Sequence, residues 1–176
     1  SPFASVRMKK NSTVMASTIG QPRGSFLIEK VLVSEGFSDF CLEAVDSKKI
    51  GDTFTCFKIT PVTKDTKLEN IFIPPTIRLS GKKILPGSTV FASGYSMPNA
   101  EIILNISEDI IINTKAKNSG YYRIEINDLE RGKYSLFATA IYQNIDSEEP
   151  DKRIELESLS LLDFILQNLI FIFPHH

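Results

Sequence analysis

"SGYSMPNAEIILNI", residues 93–106, places a glycine and a Met-Pro-Asn-Ala turn directly before a run of alternating apolar residues. Successive side chains of a strand lie on opposite faces, so Ile102, Leu104 and Ile106 are expected to face one way and the residues between them the other. A Pro-Asn pair is typical of a tight turn. The stretch is therefore predicted to be a corner of a β-sandwich rather than a ligand-holding loop.

Further runs with the same character surround this stretch. Seven candidate strands follow one another closely, at residues 76–80, 88–96, 100–106, 109–116, 120–127, 133–143 and 152–161. Short strands that are separated by turn residues and lack a helical period are typical of two packed antiparallel sheets. Residues 74–160 are therefore predicted to form an antiparallel β-sandwich.

The N-terminal part of the chain is expected to form a separate, smaller unit. Residues 1–24 are rich in Ser, Thr, Lys and Gly with little periodicity, and we expect a loose lead-in with at most one strand. Three runs rich in Val, Ile, Phe and Thr, at residues 26–33, 39–45 and 52–62, predict a small antiparallel β subdomain within residues 25–73.

A linker is expected between the two parts. Polar and charged residues precede the Pro74-Pro75 pair, which holds the chain extended and prevents a helix. The sequence therefore predicts a domain boundary, and a hinge, at this pair.

Two cysteines, Cys41 and Cys56, lie in the second and third predicted strands of the small subdomain. A disulfide between them would indicate an oxidising compartment. The alternative is two free thiols that pack as small apolar groups.

The C-terminal segment, residues 161–176, breaks the strand pattern. Its polar residues and those just before it are three or four positions apart and would form one stripe of a helix; they are Ser160, Asp163, Gln167 and Asn168. The sequence predicts a short apolar helix that ends at Pro174 and docks on the sandwich or on a neighbouring molecule. The alternatives are the start of a membrane anchor, with membrane contact through residues 159–173, and a last long strand.

The overall charge excludes one class of partner. Lys plus Arg (20) nearly balance Asp plus Glu (21), which leaves no global field to attract nucleic acid. We expect no nucleic-acid partner.

Two stretches carry a family resemblance: "KKILPGSTVFASGYSMPNAEIIL" and "TKAKNSGYYRIEINDLERGKYSLFATA". Their G-x-x-V, G-x-x-x-P-N-A, N-S-G-x-Y and L-x-x-G-x-Y patterns resemble the bacterial Ig-like and carboxypeptidase-regulatory-like sandwiches of cell-surface and secreted proteins. The resemblance covers residues 74–160. It implies an Ig-like fold and an extracellular or cell-surface location more than it implies an activity.

Each residue of these patterns has a role in folding. Gly87 and Gly94 allow positive φ or close backbone approach at strand ends. Leu129 is expected to plug one end of the core, and Gly132 to make a bend. Tyr134 is expected to reach back to a backbone carbonyl, as a tyrosine corner does.

No stretch of the chain has a catalytic or cofactor motif. The two histidines, His175 and His176, are at the C-terminus of the sequence, where a Ser-His-Asp triad is not expected. The acidic pairs lie in predicted turns or on polar strand faces, where solvated charge is the ordinary outcome. We expect a non-enzymatic protein without a cofactor.

Two kinds of binding site remain as hypotheses. The acidic stretch at residues 144–151 contains Asp146, Glu148 and Asp151 and could bind calcium, although it lacks the D-x-D-x-D order and a solvated hairpin loop is the alternative. Tyr95 and Tyr121 could form a carbohydrate platform if they lie on an outer face, although the chain has no Trp and core packing is the alternative.

Together these observations predict a non-catalytic structural or adhesion module that acts as a spacer or stalk outside the cell. Its partners would be proteins or glycans at the cell surface. The alternative is a carbohydrate-binding accessory module of a secreted enzyme.

Overall fold

The computed structural model of the chain describes residues 1–169. Strands account for 44% of the residues and helix for 4%, so the chain is all-β with a short C-terminal helix, as predicted. The elements are β1 (Ser5–Lys10), β2 (Thr13–Ile19), β3 (Asp39–Val45), β4 (Asp52–Lys58), β5 (Arg78–Leu79), β6 (Lys83–Ile84), β7 (Val90–Tyr95), β8 (Glu101–Ile106), β9 (Ile110–Lys115), β10 (Tyr121–Ile126), β11 (Gly132–Tyr142), β12 (Ile145–Asp146), β13 (Ile154–Ser158) and α1 (Leu161–Leu169).

The N-terminal part forms a four-stranded antiparallel sheet in the order β2-β1-β3-β4, which we call the first sheet. The prediction of a loose lead-in over residues 1–24 is wrong, because β1 and β2 form a hairpin there. Val6 and Met8 are buried, while Arg7 between them is exposed. The Ser, Thr and Lys content therefore belongs to the outer faces of strands and not to a loop.

The predicted strand at residues 26–33 is also wrong, since that segment has no regular structure. Phe26 and Ile28 pack against the apolar face of the first sheet, and so do Val31 and Val33. The alternation changes phase between these pairs, at Lys30, which has a φ of +56°. A left-handed residue interrupts an extended chain, so the apolar contacts form without a strand.

Residues 76–158 form a sandwich of two sheets, as predicted. One has three strands in the order β10-β7-β5; the other has six, in the order β6-β13-β11-β8-β9 with β12 on β11. All strand pairs are antiparallel except β13 with β6. Ile102, Leu104 and Ile106 have 0% exposure and meet the inward side chains of the three-stranded sheet, including Tyr122 and Ile124.

Most of the turn residues of the sandwich behave as expected, but Gly132, which was expected to make a bend, is the first residue of β11 and pairs with Ser158. Leu129 is buried at the end of the core. The Tyr134 hydroxyl donates a hydrogen bond to the Glu130 carbonyl oxygen at 3.0 Å, which confirms the predicted tyrosine corner. Asn99, in the turn before β8, has a φ of +63°, and Gly87 has a φ of +74°. These residues close the corners of the sandwich.

The short helix α1 confirms the predicted helical segment. The Ser160 hydroxyl caps its first turn by accepting from the Asp163 N–H at 3.2 Å. Asp163 pairs with Arg131, and Gln167 accepts from Lys83, so the polar side of α1 faces the sandwich.

The part of the C-terminal segment beyond α1 lies outside the described residues. Pro174 and the two histidines, His175 and His176, are there, so the predicted end of the helix is not described. Within residues 1–169, no helix has both the length and the apolar character that a membrane crossing requires.

Candidate functional site

Cys41 and Cys56 form a disulfide across neighbouring strands of the first sheet. They are directly opposite each other in the antiparallel register of β3 and β4. The inward residues of β3 are Phe40, Leu42 and Ala44, so the disulfide lies on the outer face of the sheet. The predicted disulfide is confirmed, and the structure contains no free cysteine.

Removing this disulfide is expected to lower the free energy of unfolding by about 3 kcal/mol, the value for a closed loop of similar length in the chain-entropy model. The two cysteines are 15 residues apart in the sequence. Chemical denaturation of a Cys41→Ala/Cys56→Ala double variant would measure the loss, and wild-type protein with the disulfide reduced should show the same loss. Equal stability of oxidised, reduced and double-variant protein would contradict this expectation.

The acidic stretch at residues 144–151 connects the sandwich to the first sheet. The Asp151 carboxylate accepts from the Cys56 N–H at 2.6 Å, and its own N–H donates to the Phe54 carbonyl at 2.9 Å. The Thr55 hydroxyl donates to the Glu149 carbonyl at 3.0 Å. We call this connection the clasp, residues 149–152 against β4. The clasp covers the outer edge of β4, where backbone groups would otherwise lack strand partners.

The predicted calcium ligands are not brought together. Among residues 1–169 there is no group of three or more His, Cys, Asp or Glu side chains that could hold a metal ion. The Asp151 carboxylate is bonded to the Cys56 amide, the Glu148 N–H donates to the Phe72 carbonyl, and Asp146 is exposed in β12. Of these three acidic residues, Asp151 contributes its side chain to the contact between the two parts, and Glu148 contributes its backbone N–H to a bond with Phe72.

A second connection between the two parts is buried. Asp46, in the β3–β4 loop, is 2% exposed, and its carboxylate accepts from the N–H groups of Lys48, Ile50 and Gly51 at 2.9, 3.0 and 2.7 Å. The Thr76 hydroxyl, which lies just after the Pro-Pro pair, is 3.2 Å from the same carboxylate. A buried carboxylate is stable when it is hydrogen-bonded in this way.

Thr76 in turn joins the loop to the sandwich. Its hydroxyl accepts from the Tyr95 N–H at 2.9 Å, and its carbonyl accepts from the Tyr122 hydroxyl at 2.7 Å. We call Asp46, Thr76 and Tyr122 the junction network. Pro74 and Pro75 beside it are buried. The segment that we expected to act as a hinge is thus packed and hydrogen-bonded on both sides.

Burial of Tyr122 makes the junction network sensitive to alkaline pH. Burial, and secondarily the charge of Asp46, raise the pKa of the Tyr122 phenol well above its ordinary value of 10.0. The folded protein therefore keeps this proton when the unfolded chain has lost it. The stabilisation that depends on the proton is complete below pH 10 and is lost progressively above it.

We expect the difference in free energy of unfolding between wild type and Tyr122→Phe to be constant below about pH 10. Above that pH, the wild type should lose about 1.4 kcal/mol per pH unit relative to Tyr122→Phe. Urea denaturation followed by circular dichroism at several pH values would measure it. A difference that stays flat through the alkaline range would contradict burial of the phenol.

Tyr95 and Tyr121 lie side by side on the outer face of the three-stranded sheet. They are direct partners in the register of β7 and β10, and their ring centroids are 5.4 Å apart at an interplanar angle of 61°. The Lys117 ammonium is 5.7 Å from the Tyr121 ring centroid. Both tyrosines are half-buried, so part of each ring is accessible. Burial, then Asp46 and Tyr121, raise the pKa of Tyr95.

Two arginines lie beside the tyrosine pair. Arg78 and Arg123 are both register partners of Ser93, one on each side of β7. The Arg123 guanidinium lies 3.7 Å from the centroid of the Phe91 ring. Both arginines are exposed, and neither forms an ion pair with a residue of the described chain. We call this surface the aromatic–arginine face, Tyr95 and Tyr121 with Arg78 and Arg123.

A cavity of about 1450 Å³ lies between the first sheet and the irregular segments that cover it. Its walls include the apolar side chains of Val6, Phe40 and Leu42. Of the residues predicted as site residues, Tyr95 alone borders it. The cavity therefore does not join the predicted site residues into one site.

Comparison of the chain with protein-family models and with curated proteins finds no match. The resemblance of residues 74–160 to bacterial Ig-like sandwiches therefore stays a prediction about ancestry and setting. The fold itself rests on the strands and their register.

Sequence reasoning missed the junction network and the arginines of the aromatic–arginine face. Asp46 is followed by Lys48 and Ile50 in a Gly-containing loop, a pattern typical of an Asp that binds nearby backbone N–H groups, and this signal could have identified the turn. Its contact with Thr76, 30 residues away, had no local signal.

Proposed function

We propose that the chain is a non-catalytic structural or adhesion module at the cell surface or in the extracellular space, where it acts as a spacer. The observation that carries this proposal is the double connection between the first sheet and the sandwich. A spacer keeps its two ends at a fixed separation, which requires that the joint between its parts does not bend.

Two independent contacts resist bending at this joint. The clasp hydrogen-bonds the sandwich to the edge of β4, and Lys152 pairs with Asp52 beside it. The junction network links the β3–β4 loop to β7 and β10 through Thr76. The two contacts involve different segments of the first sheet, the β3–β4 loop and the middle of β4, and both oppose bending at the joint.

The disulfide supports an extracellular setting. Disulfides persist in oxidising compartments and are rare where thiols are kept reduced. Cys41 and Cys56 are paired on the outer, accessible face of the first sheet. The disulfide is compatible with an extracellular protein.

Labelling of intact source cells would test the location. A membrane-impermeant amine reagent should modify the chain on intact cells or in the culture medium, and mass spectrometry of the unreduced protein should show the Cys41–Cys56 disulfide. A chain that is labelled only after lysis, with two alkylatable thiols, would overturn the proposal.

A second candidate function is carbohydrate binding, and the aromatic–arginine face favours it. Sugars stack on accessible rings, and Tyr95 and Tyr121 present two neighbouring rings. Arg78 and Arg123 add two guanidinium groups without carboxylate partners in the described chain, and guanidinium groups bind carboxylates in bidentate fashion. The ligand that fits this combination is a glycan with acidic sugars.

A glycan array with neutral and uronic-acid polysaccharides would test this second candidate. Saturable binding that is abolished by Tyr95→Ala or Tyr121→Ala would support it. Phe137→Ala is the matched control, because Phe137 also lies under an arginine, with the Arg153 guanidinium 4.0 Å from its ring centroid, but on the other sheet. Absence of binding to any glycan would rule out this second candidate and would not affect the proposed spacer function.

Membrane contact through residues 159–173 is a further proposal, supported by the exposed side of α1. Leu161, Leu162, Ile165 and Leu166 are exposed, while the polar side faces the sandwich. Flotation with phospholipid vesicles should recover the full chain and not a Leu162→Glu/Leu166→Glu variant. Equal recovery of both would argue against contact through α1.

A further inference from the structure

Strand β9 forms an open edge of the six-stranded sheet. It pairs with β8 on one side and with no other strand of the described chain on the other. Its sequence begins with three consecutive isoleucines, and Ile111 is 63% exposed. Soluble proteins usually protect such edges with proline, a bulge or inward charges, and the β8–β9 pairing runs without a register shift.

The free hydrogen-bonding groups of this edge can be assigned. The Ala116 N–H donates to the Ala100 carbonyl at 2.9 Å, and these two residues continue the register of β8 and β9. Hydrogen-bonded pairs alternate with non-bonded pairs in an antiparallel ladder. The backbone groups of Ile112 and Thr114 therefore point to β8, and those of Ile111, Asn113 and Lys115 point away from the sheet.

We propose that β9 pairs antiparallel with β9 of a second copy of this chain, with Ile112 on the twofold axis. In this register Ile111 of each copy is opposite Asn113 of the other, so residues with outward backbone groups meet and exchange hydrogen bonds. Ile112 of each copy then forms a non-hydrogen-bonded pair, in which side chains are closest. The two six-stranded sheets become one continuous sheet.

Charge complementarity favours a second copy as the occupant and selects this register. Asp109 is the last residue of the turn before β9 and Lys115 ends β9, so each Asp109 comes next to Lys115 of the second copy, and this contact occurs twice. Both residues are exposed, and neither forms an ion pair within the described chain. Lys115 is also opposite Glu101 on β8, at the other side of β9.

Sedimentation analysis of the full chain over a concentration series would test the proposal. The wild type should reach about twice the chain mass of 19.7 kDa. Ile111→Lys should shift the chain towards the monomer, because the two introduced lysines would be diagonal neighbours on one face of the joined sheet and would repel each other. Ile145→Lys, at an exposed isoleucine outside β9, is the matched control and should leave the assembly unchanged.

The charge pair gives a test of register. Lys115→Asp alone should raise the dimer dissociation constant about tenfold or more, and adding Asp109→Lys should restore it, since opposite charges are again paired. A double variant that is as weak as the single one would overturn the register.

A cysteine at position 112 tests the twofold axis directly. Because the native cysteines are paired, the new thiol of Ile112→Cys should form a disulfide-linked dimer under mild oxidation. Thr114→Cys should not, because Thr114 is opposite Ile110 of the second copy and the two Thr114 residues are about 13 Å apart. A wild type that stays monomeric at all concentrations, or equal cross-linking of the Ile112→Cys and Thr114→Cys variants, would overturn the proposal.

Discussion

Replacing Gly94 with alanine is expected to lower the free energy of unfolding by about 3 kcal/mol or more. A Cβ atom at Gly94 would lie 1.8 Å from the Thr76 carbonyl oxygen and 2.6 Å from its carbon, which no rotation can relieve because both are backbone atoms. Gly94 lies within β7, beside the Tyr122 ring, and the segment after the Pro-Pro pair crosses directly over it. The glycine is therefore required for close approach, and its substitution would push the linker off the sheet.

Gly81→Ala is the matched control for Gly94→Ala. The nearest atoms to a Cβ at Gly81 are 3.9 and 4.0 Å away, so a change within about 0.5 kcal/mol is expected. Thermal and chemical denaturation of both variants would measure the difference. Equal stability of the two would show that Thr76 does not lie against β7 as described.

Replacing Asp46 with alanine is expected to have an effect of similar size, about 3 kcal/mol. The substitution leaves the N–H groups of Lys48, Ile50 and Gly51 without their acceptor, and it removes a buried partner of the Thr76 hydroxyl. Asp46→Asn should be less damaging but still destabilising, because its amide group turns one acceptor into a donor that faces other donors.

Asp146→Ala is the control for Asp46→Ala, since Asp146 is exposed and should change stability by no more than about 0.5 kcal/mol. Denaturation of the three aspartate variants under identical conditions would rank them. Stability of Asp46→Ala close to that of the control would contradict the role of Asp46 in joining the two parts.

The sequence predicted the sandwich well because its alternation and turns are local. Ile102, Leu104 and Ile106 alternate over five residues, and Tyr134 reaches a carbonyl four residues before it. Signals of this kind are complete within one strand or one turn, so a single sequence contains them.

The errors arose where tertiary contacts decide the conformation. Residues 5–19 are too polar to indicate strands, but β1 has β3 as a neighbour and buries only Val6 and Met8. Residues 26–33 are apolar enough for a strand, but the left-handed Lys30 divides the alternation, and packing against the first sheet stabilises the segment. Neither outcome follows from the segment alone.

The candidate sites also divide into contacts that local sequence predicts and contacts that depend on the tertiary structure. The Cys41–Cys56 pair followed from two cysteines in predicted neighbouring strands. The joining of Tyr95 with Tyr121 depends on the register of strands 26 residues apart, and the contact of Asp46 with Thr76 depends on how the first sheet docks. The register of these strands and the docking of the first sheet depend on the whole folded chain, so no single segment predicts them.

Hydrogen exchange under native conditions would test most directly whether the first sheet and the sandwich act as one stiff unit. Buried amides of β3, such as Leu42, and of β8, such as Leu104, should exchange with the same free energy of opening and should lose protection together in denaturant. In the Asp46→Ala variant, the β3 amides should exchange with a lower free energy of opening than the β8 amides. Exchange of the β3 amides at a clearly lower free energy in the wild-type chain would mean that the first sheet opens independently, and would contradict the spacer function.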